Sequence, residues 1–123
     1  MMEQIKKPTI GFAGMTHLGI NSAVATAEKG FDTICFDQNN KLIHKLQKNK
    51  MPISEPQLLE LAYKNKTRLK FTSKVSDLNA CQILYIAPDV PVTDDGVSDL
   101  TDLEAMLNLV ISNVHKDKIF INL

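Results

Sequence analysis

Apolar runs of strand length alternate along this chain with segments of helical period. TIGFA at 9–13, TICFD at 33–37, LKFT at 69–72, QILYIA at 82–87 and KIFINL at 118–123 are short and rich in β-branched and aromatic residues, and each reads as a strand. Between them the period changes. Residues 16–29 form an alanine-rich helix, residues 40–48 place Leu42, Ile43 and Leu46 on one face, and residues 55–63 follow Ser54 as an N-cap. Residues 73–78 add one short turn. The longest helix spans 99–114, where Leu103, Met106, Leu107, Val110, Ile111 and Val114 recur at the three-and-four spacing of a stripe that faces a core. That stripe is packing rather than a cofactor box.

Strands alternating with helices predict an α/β fold with a parallel sheet. Parallel crossovers are right-handed, so the elements lead to a Rossmann-type doubly wound sheet of order 3-2-1-4-5 with helices on both faces. Ligands of such sheets bind at the carboxyl ends of strands 1 and 4. Two loops fall there, GMTHLG at 14–19 and APDVPVTDDG at 87–96. No internal repeat or low-complexity tract interrupts the pattern.

Length and charge narrow the classes. At 123 residues the chain, 1–123, is one domain. Its 14 basic and 14 acidic side chains cancel, so no net field draws it to nucleic acid or an anionic membrane. Lys41, Lys45, Lys48 and Lys50 read as a solvated helix face. Cys35 and Cys81 lie inside apolar runs, far apart and without zinc spacing; they are expected as buried small hydrophobes in a reducing compartment, with no metal site. There is no signal-peptide pattern and no apolar run approaching the roughly 20 residues that span a bilayer. The expectation is a soluble, cytoplasmic protein.

The first loop carries the chemistry. A dinucleotide site needs a tight turn after the strand, a close backbone approach to the pyrophosphate, and a helix N-terminus whose N–H groups receive that anion. Gly14 supplies the turn, and Gly19 removes a side chain where the helix packs inward. Thr16 stands where a middle glycine is usual. Its branched side chain resists positive φ and would crowd a phosphate unless its hydroxyl makes the contact. Gly11, inside the strand, reads as close backbone packing. Asp37 ends the second strand about 20 residues further on, the place of the carboxylate that bonds the adenosine ribose hydroxyls and repels the 2′-phosphate of NADP. NAD is therefore the expected cofactor, against the alternative that Asp37 only caps the next helix.

Other polar residues read as structural. His17 begins a helix and is assigned packing or a hydrogen bond near the phosphate loop rather than catalysis. His44 and His115 are read as surface residues on helices. Asp94, Asp95, Asp99 and Asp102 surround a turn and a helix start, which suits the helix dipole. No nucleophile and base pair is visible, so no catalytic residue is assigned.

The motifs together resemble the UDP-glucose and GDP-mannose dehydrogenases over nearly the whole chain. The resemblance runs through TIGFAGMTHLG, AVATAEKGFDTICFD, PISEP at 52–56, RLKFT and APDVPVTDDGVSDLTDLE, with PISEP and DDGVSDL as the discriminating segments. It implies the N-terminal NAD-binding domain of an enzyme that oxidises the C6 alcohol of a nucleotide sugar to a carboxylate with two NAD per turnover. The cofactor would be held by Gly14, Thr16, His17 and Leu18 of the first loop and helix start, by Asp37 and Lys41, and by Pro88 and Val90 after the fourth strand. Family members also carry a central helix and a sugar-nucleotide domain and usually dimerise. In the family the fifth strand leads into a serine-threonine segment, with the catalytic lysine, asparagine, cysteine and aspartate later. A chain stopping at Leu123 therefore reads as truncated, able to bind cofactor but not to catalyse.

Three positions depart from the family pattern. They are Thr16 for glycine, Leu42 where many members have a basic residue, which Lys41 offsets, and Val90 for the threonine of a proline-threonine-proline loop. One lost contact weakens binding by roughly 1 to 3 kcal/mol, about tenfold to a hundredfold. A non-catalytic Rossmann module for nucleotide sensing or protein contact is the alternative reading. A β-hydroxyacid type dehydrogenase is a third, against which PISEP argues.

Overall fold

Runs of β-branched and aromatic residues without polar alternation make strands that must be covered on both faces. In the computed structural model, which describes residues 7–52, 55–87, 94–96 and 100–123, β1 (Ile10–Ala13) and β2 (Thr33–Phe36) are buried at every position. β3 (Leu69–Thr72), β4 (Ile83–Ile86) and β5 (Ile119–Asn122) complete a wholly parallel sheet of order β3-β2-β1-β4-β5. This is the predicted order, and each strand begins and ends within a residue of its predicted limits.

The helices follow from their caps. α1 (His17–Glu28) starts after Thr16, whose side chain accepts from the Gly19 N–H. α2 (Asn40–Gln47) starts after Asn39, whose side chain accepts from the Leu42 N–H. α3 (Pro56–Lys64) opens with proline at a first-turn position, where a missing N–H costs nothing. Its N-cap is Glu55, which makes no side-chain cap bond; the expected cap Ser54 lies outside the described residues. A 3-10 turn covers Val75–Ala80, and α4 spans Thr101–Asn113. His115 falls past the end of α4 rather than on it and is exposed, as is His44.

Two cores flank the sheet. On one face Ile10, Phe12 and Cys35 meet Ile20, Val24, Ile43, Leu46 and Leu58 of α1 to α3. On the other, Ala13, Ile34, Phe36, Leu84 and Ile86 meet Leu78, Cys81, Met106, Val110 and Val114. The α4 stripe is narrower than its periodicity predicts. Met106, Val110 and Val114 are buried four residues apart, while Ile111 is 52% exposed. Neighbouring helical residues point about 100° apart, so a strip led by Val110 leaves Ile111 on the flank.

Gly11 is packed as expected: a Cβ there would lie 2.8 Å from Cys81 Sγ and 3.0 Å from Leu84 Cδ1. Cys35 and Cys81 are free, buried thiols, and burial pushes both thiol pKa values up. β5 is exposed along its length, with Ile119, Phe120 and Ile121 facing outward. Among the described residues no helix is long and apolar enough to cross a membrane, and no group of His, Cys, Asp or Glu could hold a metal ion.

Candidate cofactor site

The loop after β1 turns on Gly14, whose φ of 108° lies in the region that glycine enters without strain. Its N–H donates to the Phe36 carbonyl, 2.8 Å away, so the turn is tied to the end of β2. Thr16 avoids the positive φ that would strain it, with φ −75° and ψ 175°. Its hydroxyl does not wait for a phosphate. It donates to the Ala87 carbonyl at 2.8 Å and accepts from the Gly19 N–H at 3.1 Å. The hydroxyl thus caps α1 and bridges to the end of β4 at the same time. Gly19 matters through what it touches: a Cβ there would overlap the Gly14 carbonyl oxygen. The missing side chain lets the helix sit on the turn itself, which is a tighter constraint than packing on the sheet. His17 and Leu18 stand in the first turn of α1, where backbone N–H groups have no carbonyl one turn earlier.

Asp37, half-buried at the end of β2, holds the loop from the other side. Its Oδ2 accepts from the Met15 N–H at 2.8 Å and its Oδ1 from the Asn39 N–H at 2.9 Å. Asn39 rather than Asp37 is the N-cap of α2, and Asp37 bonds the N–H of that cap residue. Each carboxylate oxygen keeps further acceptor capacity for a ligand hydroxyl.

These groups surround a cavity of about 410 Å³ at the carboxyl ends of β1 and β2. Gly14, Met15 and Thr16 form one side, Asp37, Gln38, Asn39 and Leu42 a second, and Asp102, Ala105 and Met106 of α4 a third. Of the expected cofactor residues, Gly14, Thr16 and Asp37 line it. His17 and Leu18 are exposed at the start of α1 outside the lining. Lys41 lies elsewhere, in a surface depression with His44, Lys45, Lys48 and Lys50, while its neighbour Leu42 faces the cavity. Pro88 and Val90 lie outside the described residues. His17 also contacts the PISEP segment, its Nε2 lying 3.3 Å from Glu55 Oε1.

The α4 wall escaped the sequence reading. Met106 packs in the core and Asp102 stands at the helix start, as the pattern implies, and both line the cavity as well. The available signal was topological, because in this strand order the start of the helix after strand four opens on the same edge as the glycine loop. A mainly apolar cavity of about 450 Å³ lies toward the amino ends of the strands, lined by Pro8, Ile10, Phe31, Ile83 and Tyr85 together with Ala25, Thr26 and Lys29 of the α1 end. It is slightly larger but has neither the glycine turn nor a carboxylate, and it sits on the edge where doubly wound sheets do not bind ligands.

Comparison with known proteins shows the family and the fold. Residues 8–123 match the UDP-glucose/GDP-mannose dehydrogenase family, NAD binding domain. The chain is 32% identical over 116 residues to the UDP-glucose 6-dehydrogenase TuaD of Bacillus subtilis, covering 92% of this chain and 25% of that protein. Among solved structures, the UDP-D-ManNAc dehydrogenase of Pyrococcus horikoshii superposes with a TM-score of 0.84 at 24% identity, over 93% of this chain and 28% of that one. A UDP-glucose dehydrogenase of Pyrobaculum islandicum superposes with a TM-score of 0.78 at 26% identity, over 85% of this chain and 25% of that one. The chain thus spans about a quarter of the length of the relatives it matches.

Proposed function

Since the chain belongs to the UDP-glucose/GDP-mannose dehydrogenase family as its NAD-binding domain, we propose that the cavity at β1 and β2 takes the adenosine half of NAD in the service of nucleotide-sugar oxidation. The observation that carries this is the joint placement of Gly14, Thr16 and Asp37 around one cavity beside the first turn of α1. Asp37 is suited to the ribose hydroxyls, since its backbone donors leave acceptor capacity. Leu42, Ala105 and Met106 offer apolar walls for the adenine. The pyrophosphate belongs on the His17 and Leu18 N–H groups, with the Gly14 and Gly19 contact holding the helix close enough to reach it. Bound NAD supplies the hydride acceptor; the residues of this chain hold and orient it.

The reaction in this reading is conversion of the C6 alcohol of a UDP- or GDP-linked sugar to a carboxylate with two NAD, and the sugar and its catalytic groups are met by other parts of a protein of the relatives' length. The chain 1–123 is the cofactor domain of that protein, which works as a homodimer in the cytoplasm, where buried Cys35 and Cys81 stay reduced. The exposed apolar residues of β5 support a packing partner at that edge. The competing reading, a non-catalytic nucleotide-sensing module, draws on Thr16, whose hydroxyl is committed within the protein.

Turnover separates the two. A polypeptide of the relatives' length that contains this chain, given NAD with UDP-glucose, UDP-N-acetylmannosamine or GDP-mannose, should form two NADH per sugar acid with one of them. NADH binding without turnover on any nucleotide sugar would favour the sensing module.

A further inference from the structure

We propose that Asp102 is a second cofactor-discriminating residue, whose carboxylate acts with Asp37 to exclude a dinucleotide phosphorylated on its adenosine ribose. The inference rests on the reading of the cavity as the adenosine site and adds to it the wall contributed by α4.

Asp102 stands in the first turn of α4 and lines the same cavity as Asp37. The two carboxylates differ in their commitments. Both oxygens of Asp37 receive backbone N–H groups. Asp102 is exposed and makes no hydrogen bond or ion pair with the described residues, so its carboxylate oxygens stay open to the cavity and to solvent. No basic side chain occurs among the described residues lining the cavity, and Lys41 belongs to a different depression. Sites that accept the 2′-phosphate of NADP place an arginine near it; this one offers a second carboxylate instead.

The helix start gives Asp102 a specific task. The first turn of a helix carries N–H groups without internal acceptors and a positive partial charge, which together make an anion site. Left bare, the first turn of α4 would attract a ribose phosphate into the cavity and offset the repulsion from Asp37. The Asp102 carboxylate occupies that electrostatic position and turns the wall from attractive to repulsive. Glu104 shares the first turn but is not part of the lining, so it does not substitute.

The test is a set of NADH and NADPH dissociation constants for the 123-residue chain and its Asp102→Asn, Asp37→Asn and doubly substituted variants, at low and high salt, with melting temperatures alongside. Asp102→Ser serves as a second variant, because serine keeps a polar side chain in the helix start. Removing one like charge should tighten NADPH about tenfold at low salt and lower the selectivity for NADH accordingly, an effect that shrinks as salt rises. The double variant should select least. An unchanged NADPH dissociation constant in both Asp102 variants overturns the proposal, as does a selectivity change that comes only from weaker NADH binding. Failure of the unsubstituted chain to bind NADH would instead overturn the cofactor reading itself, so the two failures are distinct.

Discussion

The hydroxyl of Thr16 joins three parts of the site: the turn it sits in, the first turn of α1 through Gly19, and the end of β4 through Ala87. Thr16→Val keeps the shape and removes both bonds. It should lower stability by about 1 to 2 kcal/mol, as for other lost N-caps, visible as a melting temperature several degrees lower; Thr16→Ser should restore most of it. Equal melting temperatures for the valine and threonine forms would show that the bridge contributes nothing. The glycine turn and the place of Asp37 at the end of β2 are legible in the sequence because both are local, set by φ and by the length of the strand. The bond to Ala87 is not, because it joins residues far apart in the chain. Cys35 and Cys81 illustrate the opposite case, since apolar flanks alone foretold their burial. Burial raises both thiol pKa values, and at Cys81 the Lys118 ammonium opposes part of that rise. Thiolate is the reactive form, so near pH 8 both should resist alkylation in the folded chain and react on denaturation. Rapid labelling of the native chain would contradict the packing.

Between elements, the polar tie of greatest consequence links α1 to α3. Glu28 accepts from Lys64 Nζ at 2.8 Å and from the buried Asn65 Nδ2 at 2.6 Å, and these bonds hold its carboxyl below the ordinary glutamate range. A carboxyl whose pKa is depressed on folding contributes stability that is present above its unfolded pKa and is lost as pH falls through the folded value. Glu28→Gln should therefore be less stable than the parent at neutral pH, with the difference closing as denaturation is repeated at progressively lower pH. A gap that stays constant with pH would rule out this linkage. The starts of α1, α2 and α3 all lie within one residue of their expected positions, because the onset of the helical period marks them. Periodicity overestimated the buried width of α4, because spacing reports which residues share a face but not how far the opposing sheet extends.

Over the whole molecule, strand order follows from local facts, since short parallel strands with helical crossovers of fixed hand admit few arrangements. That order also explains why residues as distant as Gly14, Asp37 and Asp102 line one cavity. What the sequence did not disclose was the division of labour around the cavity: Leu42 inside and Lys41 outside, Met106 serving core and site together, and Asp102 opposite Asp37. Facing direction on a helix of only two turns is decided by the tertiary contacts of Ile43 and Leu46, which a pattern of alternating residues does not resolve. The most direct check of the cavity as an adenosine site is calorimetric titration of the 123-residue chain and its Asp37→Asn variant with NADH and NADPH. Saturable one-site binding is expected, tighter for NADH than NADPH, with NADH weakened about tenfold to a hundredfold by the substitution, the effect of roughly 1 to 3 kcal/mol from one charged acceptor. Absence of saturation at millimolar NADH, or tighter binding of NADPH by the unsubstituted chain, would contradict it.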